Sequence, residues 1–381
     1  MKPTGKYVTT SVAGESIKAF VPDNLPPKFS KKEQAGLRFQ LQEAEIALSK
    51  LNIAGQMIPS LDWFIYAFIR KEALLSSEIE GTHATLTDIF SYENLNQPGE
   101  TTVKDVEEVA HYVYAINYAF KELENPKGLP LSIRLLNQCH LRLMQGARGA
   151  NKQPGEIRTS QNWIGGSRPG TANFVPPPPL EVQQLLGELE AWLHKDDALS
   201  PLLRIGASHV QFETIHPYLD GNGRIGRMLI TLLLAHWKLL SSPLLYLSHY
   251  FKQNQTEYYV RLEDVRLKGD WSGWFRFFLN GVSTVAADAI ETAGALHKLV
   301  SEDRKKLHAS SSATVSSIQL FEQLPENPVI SMSSVVKLLD TTKPTATKAI
   351  NVLLQCEIVE EVGESRRDRR YRYRRYLEIL K

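Results

Sequence analysis

The residues of this chain best equipped for chemistry lie in one run, His216-Pro217-Tyr218-Leu219-Asp220-Gly221-Asn222-Gly223-Arg224-Ile225-Gly226-Arg227. It offers an imidazole, a carboxylate, two arginines and a glycine on each side of Asn222. An imidazole takes a proton from a hydroxyl near neutral pH. Glycines let a backbone curl and turn bare N–H groups toward an anion. The apolar stretch from Met228 to Leu234 follows at once. The loop is therefore expected to open a helix, whose unpaired N–H groups and dipole favour phosphate. Arg224 and Arg227 would project from neighbouring sites on that helix. Asp220 suits Mg²⁺, which takes one or two carboxylates together with phosphate oxygens. The run reads as a site that holds a polyphosphate and sets a base beside it.

This run resembles the signature of the Fic family, H-P-F-x-[D/E]-G-N-[G/K]-R-x-x-R, with Tyr218 standing where Phe is usual. The resemblance implies an all-α helical bundle with a small β-hairpin flap. It implies an adenylyltransferase that moves AMP from ATP to a Ser, Thr or Tyr hydroxyl of a protein, itself included. His216 would be the general base and Asp220 the Mg²⁺ ligand. The ATP site would comprise His216, Gly221, Asn222, Gly223, Arg224, Ile225, Gly226 and Arg227, with Glu80 at its border. A second segment, Ser76-Ser77-Glu78-Ile79-Glu80-Gly81, fits the family's inhibitory pattern [S/T]-x-x-x-E-[G/N]. Ser76, Glu80 and Gly81 would then form a brake in which Glu80 pairs with Arg227 where the γ-phosphate must bind. The same pattern also describes a helix C-terminus closed by Gly81. Gly155 to Gly166 resembles the family's flap, which holds the target segment, with Asn162 where Val is frequent. Tyr258-Tyr259, with Leu262, Gly269-Asp270-Trp271 and Trp274, resembles the segment after the catalytic helix. It implies Tyr259 on the nucleotide base and Tyr258 in the core. Some relatives remove AMP with the same site, and such a hydrolase is the alternative; the intact Gly223, Arg224 and Arg227 favour transfer. A homodimer fits this class.

The frame that must position these residues is mostly helical. Residues 1 to about 30, with Pro22, Pro26 and Pro27, read as an irregular arm. Apolar periodicity predicts helices over Lys31 to Leu51, Ser60 to about Ile79, Val103 to Glu124 and Leu131 to Met144. Gly155 to Pro179 reads as a hairpin, its strands around Asn162-Trp163-Ile164 and Asn173-Phe174-Val175. Helices resume over Leu180 to His194, Pro201 to Ile215, Arg224 to Leu239 and about Gln253 to Leu267, and a further pair covers Trp271 to Lys305. The low-complexity patch from Ala309 to Thr314 marks a boundary. Beyond it the pattern is that of a winged helix-turn-helix. Its helices fall at Val315 to Leu324, Ile330 to Leu339 and Pro344 to Cys356, and its wing strands at Ile358 to Val362 and Arg370 to Tyr373. The expected division is 1–100 for an N-terminal region with the inhibitory helix near 70–81, 101–305 for the catalytic core and 310–381 for the C-terminal domain.

Composition narrows the classes. The 381 residues are 43% hydrophobic and 23% charged, as in a soluble globular protein, and the net charge of +2 singles out no partner. Arg366 to Arg375 is dense in arginine, which keeps a DNA-binding regulator with a Fic sensor module as an alternative. A solvated wing, or one that docks an acidic protein, fits equally. Cys139 and Cys356 form no metal or redox motif and read as reduced thiols of a cytoplasmic protein. No signal-peptide-like apolar segment opens the chain. The longest apolar region, Met228 to Leu240, is interrupted by His236 and Lys238 and falls short of the roughly 20 residues of a membrane span. No Walker loop occurs, which argues against a P-loop NTPase.

Overall fold

The computed structural model describes residues 3–12, 14–57, 61–95, 103–146, 151–362 and 369–381. The N-terminal segment is a hairpin and not an irregular arm. β1 (Gly5–Val12) pairs antiparallel with β2 (Glu15–Pro22), Gly5 opposite Pro22 and Val12 opposite Glu15. The prolines mark its end and the connection beyond it. Ile17, Ala19, Phe20 and Val21 of β2 are buried, and the Phe20 N–H donates to the Val175 carbonyl at 2.9 Å. The hairpin is thus fixed by what it packs against, which no local propensity discloses.

Helices make up the body. α1 (Lys31–Ala35) and α2 (Arg38–Met57) divide the first expected helix at Gly36 and Leu37. α3 (Leu61–Ile79) carries the inhibitory pattern at its C-terminus, and α4 (Leu86–Leu95), absent from the sequence reading, follows closely. α5 (Val103–Glu124), α6 (Ile133–Leu143), α7 (Pro179–His194) and α8 (Pro201–Ile215) lie close to expectation. α9 (Asn222–His236) begins inside the motif. α10 (Ser248–Gln253), also missed, and α11 (Gln255–Lys268) lead to α12 (Trp271–Ala309). α12 corrects the expected pair: it is one helix of 39 residues, capped at its start by Asp270. It contains Gly273, Gly281 and Gly294, which a local reading takes as breaks. Packing against α2, α8, α10 and α11 keeps it continuous.

The expected flap hairpin is also corrected. Between α6 and α7 the described residues hold a single antiparallel bridge, Ile164 with Phe174. Gly165 and Gly166 turn the chain at φ +70° and +71°. The Arg158 and Gln161 side chains bind nearby carbonyls that a longer ladder would need.

The C-terminal unit contains α13 (Val315–Gln323), β3 (Val329–Ser331), α14 (Met332–Leu338), α15 (Lys343–Gln355), β4 (Glu360–Val362), β5 (Arg370–Arg372) and α16 (Arg374–Leu380). The three strands form one antiparallel sheet in the order β3-β5-β4. The expected helix from Ile330 starts as strand β3 and becomes helix only at Met332. Arg366, Arg367 and Asp368 of the arginine run lie outside the described residues. The apolar core runs without a break from the helical body into this unit, through Leu320, Phe321, Tyr373 and Tyr376.

Candidate active site

The motif occupies the junction between α8 and α9. His216 closes α8 in the left-handed conformation, φ +50° and ψ 62°. A side chain with a Cβ keeps that conformation only where its surroundings impose it. Here a buried arginine does so. Arg158 Nε donates to the His216 carbonyl at 2.9 Å, and its Nη2 donates to the carbonyls of Pro177 at 2.7 Å and Ile215 at 3.3 Å. The Arg158 N–H adds a bond to the Pro217 carbonyl at 2.9 Å. The His216 Nδ1 lies 3.3 Å from the Glu213 carbonyl. A proton on Nδ1 donates there and leaves Nε2 as the basic nitrogen. Burial, and then the Arg158 charge, pull the imidazole down to about 4. The ring is neutral at neutral pH and able to accept a proton.

The loop between His216 and α9 is tied by its own side chains. The Tyr218 N–H donates to Asn222 Oδ1, and Asn222 Nδ2 donates back to the Tyr218 carbonyl, both at 2.8 Å. Asn162 Nδ2 donates to the same carbonyl at 3.0 Å, which accounts for an amide at that flap position. The Tyr218 hydroxyl, the motif's departure from Phe, donates to Asn137 Oδ1 of α6 at 2.8 Å. Gly221 takes φ +76° at the head of α9. The Asp220 side chain is 46% exposed and faces a cavity of about 180 Å³ shared with Glu80, Glu107, Glu108 and Arg224. Among the described residues no three His, Cys, Asp or Glu side chains form a metal cage. One exposed carboxylate beside an anion nest does fit Mg²⁺, whose shell is then completed by phosphate and water.

Both motif arginines are held by residues from outside the motif. The Arg227 side chain is 2% exposed. Its Nε donates to Ser76 Oγ at 2.9 Å, and its Nη2 donates to the Ser76 carbonyl at 2.8 Å and to Glu80 Oε1 at 2.6 Å. Burial pushes the Glu80 carboxyl up, but the Arg227 charge and hydrogen bond, with Arg224 behind them, leave it below the usual carboxylate range. Gly223 makes room for this contact: a Cβ there would lie 2.2 Å from Glu80 Oε1. Gly81, at φ +88°, turns the chain after α3. Lys252 pairs with Glu78, and Gln255 Nε2 donates to the Ile79 carbonyl at 3.1 Å, fixing the same helix end to α10 and α11. Arg224 Nη1 donates to Glu108 of α5, and its Nη2 to Asp220 Oδ1 at 3.4 Å.

Other expected site residues serve the helix as much as the cavity. Ile225 is fully buried, and a Cβ on Gly226 would lie 2.1 Å from Glu213 Oε1. The Gly226 carbonyl lies 2.8 Å from His209 Nδ1, whose Nε2 meets the Tyr258 hydroxyl at 2.8 Å. Tyr258 is therefore core, as expected, whereas Tyr259 beside it is 47% exposed.

Residues 39–121 match the model of the Fic/DOC family N-terminal domain, and residues 130–234 match that of the Fic/DOC family. The chain carries both of these Fic/DOC family domains. A probable protein adenylyltransferase of Aquifex aeolicus is 39% identical over 70 residues, 18% of this chain and 22% of that protein. The protein adenylyltransferase Fic of Aedes aegypti is 33% identical over 125 residues, 32% of this chain and 22% of that protein. The matched stretches thus span about a quarter or less of these relatives. In structure, a Fic family protein from Desulfovibrio desulfuricans superposes with a TM-score of 0.58 at 22% identity, over 92% of this chain and 98% of that one. Fic-1 of Caenorhabditis elegans superposes with a TM-score of 0.55 at 20% identity, over 68% of this chain and 74% of that one. These superpositions establish the fold. The adenylyltransferase names support a Fic-type transferase.

Three residues of this Fic site escape a sequence reading. Arg158 was visible only as part of the flap resemblance, with no role attached. Glu108 lies on α5, far in sequence from the Arg224 that it meets. His140, buried on α6, carries no local signal beyond its position on an apolar face.

Proposed function

We propose that the chain is a protein adenylyltransferase that uses ATP with Mg²⁺ and is held inactive by Glu80. The observation that carries this reading is the claim that α3 makes on Arg227, through Ser76 and Glu80 together. A buried arginine at the head of a helix is a phosphate partner, and here a carboxylate stands in the phosphate's place. In transfer, the oxygen of a target Ser, Thr or Tyr attacks the α-phosphorus of ATP. The bond from that phosphorus to the bridging oxygen breaks and diphosphate leaves. His216 Nε2 takes the hydroxyl proton. Arg224, Arg227 and the N–H groups at the head of α9 carry the phosphate charge, which is most of what a protein can supply to such a reaction. Asp220 would hold Mg²⁺, whose contribution is charge neutralisation at the phosphates. The flap from Gly155 to Gly166 would present the target, and Tyr259 would face the base. With Glu80 in place, the γ-phosphate meets a negative charge.

The C-terminal unit supports a winged-helix reading by its order of helix, strand, two helices and two strands. Four of its described arginines already have carboxylate partners, which does not favour DNA. Arg369 pairs with Glu361, Arg372 and Arg374 with Glu360, and Arg375 with Asp303.

The test is incorporation of α-³²P-labelled ATP into the purified chain with Mg²⁺. Wild type is compared with Glu80→Gly and with Glu80→Gly/His216→Ala. Label in Glu80→Gly alone is the expected result. Equal label in wild type and Glu80→Gly removes the brake, and label in the double variant removes His216 as the base.

A further inference from the structure

We infer that His140 is a positioning residue for adenylyl transfer, which locks the Asp220–Gly221 peptide of the anion nest and joins it to the root of the flap. The inference rests on the transferase reading. His140 lies on α6, fully buried, and its ring meets three separate parts of the site. The Gly155 N–H donates to His140 Nδ1 at 2.9 Å. A nitrogen that accepts carries no proton, so in the neutral ring the proton is on Nε2. Nε2 lies 3.0 Å from the Asp220 carbonyl and donates to it. The backbone donor thus fixes the tautomer, and the tautomer fixes which way the Asp220 carbonyl faces.

The orientation matters because a peptide unit is planar and presents its C=O and N–H on opposite sides. With the carbonyl drawn toward α6, the Gly221 N–H of the same unit points the other way, where it donates to Asp220 Oδ1 at 2.6 Å and holds that carboxylate at the cavity. A flip would turn a carbonyl toward an anion. The ring also stacks on Tyr218, with centroids 3.8 Å apart and planes 6° apart. It further abuts the position where Gly221 lacks a side chain, where a Cβ would lie 3.5 Å from His140 Cδ2 and 3.0 Å from Met144 Sδ. The loop therefore rests on α6 through a stack, a hydrogen bond and a close backbone approach.

Gly155 and Arg158 bracket the flap root. Gly155 reaches the phosphate end of the motif through His140, and Arg158 reaches the base end through the His216 and Pro217 carbonyls. His140 therefore couples the element that receives the target to the element that holds the nucleotide.

Two measurements test this. Nitrogen NMR of the wild-type ring, free of any variant, should show His140 protonated at Nε2 and bare at Nδ1, with slow exchange of the Gly155 amide. The reverse tautomer or a fast-exchanging amide overturns the proposal. In the Glu80→Gly background, His140→Phe keeps the stack but loses both hydrogen bonds. It should lower kcat by about a hundredfold, the cost of misaligned reacting groups. The KM for ATP should hold within about threefold, because the arginines still bind the phosphates. His140→Gln offers one donor and one acceptor and should recover about a tenfold part of that loss. A His140→Phe that folds and retains kcat within about twofold, or a glutamine that recovers nothing, overturns positioning. Should Glu80→Gly itself transfer nothing, the transferase reading fails, and the ring and amide measurements still decide whether His140 holds the loop.

Discussion

This Fic chain has two concentrations of arginine, and they are built on opposite plans. Arg224 and Arg227 lie in the motif with their side chains almost wholly buried. Apart from Asp220 within the motif, their carboxylate partners, Glu108 on α5 and Glu80 at the turn that ends α3, are remote in sequence and border a cavity. Arg369, Arg372, Arg374 and Arg375 are each more than a third exposed. Their partners Glu360, Glu361 and Glu378 lie in the same small unit, and Asp303 on the helix that leads into it. The dense run is the more conspicuous in the sequence, yet the sparse pair has the properties of a binding site. Exposed pairs are screened by water and salt and contribute little. A buried guanidinium must always have a partner, so whatever displaces its carboxylate must itself be an anion. Glu80 is the half of its pair that can leave: its side chain is 36% exposed against 2% for Arg227.

The largest effect should come from breaking the buried set. Arg227→Ala in the Glu80→Gly background should lose about 10²–10³-fold in transfer rate, the scale for removal of one transition-state charge partner. Labelled ATP incorporation measures it, and activity equal to Glu80→Gly would mean that Arg227 is only a structural anchor for α3.

A smaller effect separates the two sets by pH. The Glu80 carboxyl is held below its usual range, so the latch contributes stability in full above the unfolded carboxyl value and loses it as pH falls through the lower folded value. His216 is pulled down to about 4 and stays neutral well below neutral pH. The Glu80→Gly rate should therefore vary by less than about threefold between pH 8 and about 5, whereas an unperturbed imidazole near 6.5 would lose most of it. Wild type should stay inactive over the same range. A pH–rate profile of both proteins checks this.

The smallest effect belongs to the exposed set. Arg372→Ala/Arg374→Ala should leave transfer within about twofold of the parent and the Tm within about 2 °C. A larger loss of transfer would mean that the C-terminal unit acts on the site.

The motif was legible because its residue types carry their chemistry at fixed spacing. His216, Asp220 and Arg227 could be placed on a helix–loop–helix junction from the glycines and the apolar run alone. α5 and α8 were legible because each has a continuous apolar stripe with clear ends. The N-terminal hairpin was not, because its register depends on Val175 and on the core beneath β2. α12 was not, because its glycines suggest an interruption that packing along its length overrides. The flap fell short of a hairpin, its single Ile164–Phe174 bridge giving way beyond Val175 to carbonyls of Pro176 and Pro177 that the Gln161 and Arg158 side chains occupy.

By itself the sequence determined the Fic resemblance, the mostly helical class and which residues meet at one helix–loop–helix junction. Those follow from local spacing, since helix geometry converts residue number into direction. The pairing of Glu80 with Arg227 was already implied by the resemblance; only the tertiary structure decided that the Ser76 hydroxyl and carbonyl share Arg227, that Glu108 holds Arg224 and that His140 and Arg158 fix the two ends of the loop. Each of these contacts joins segments far apart in the chain. Their geometry is set by the packing of whole helices, and a linear pattern records only the residues that packing brings together.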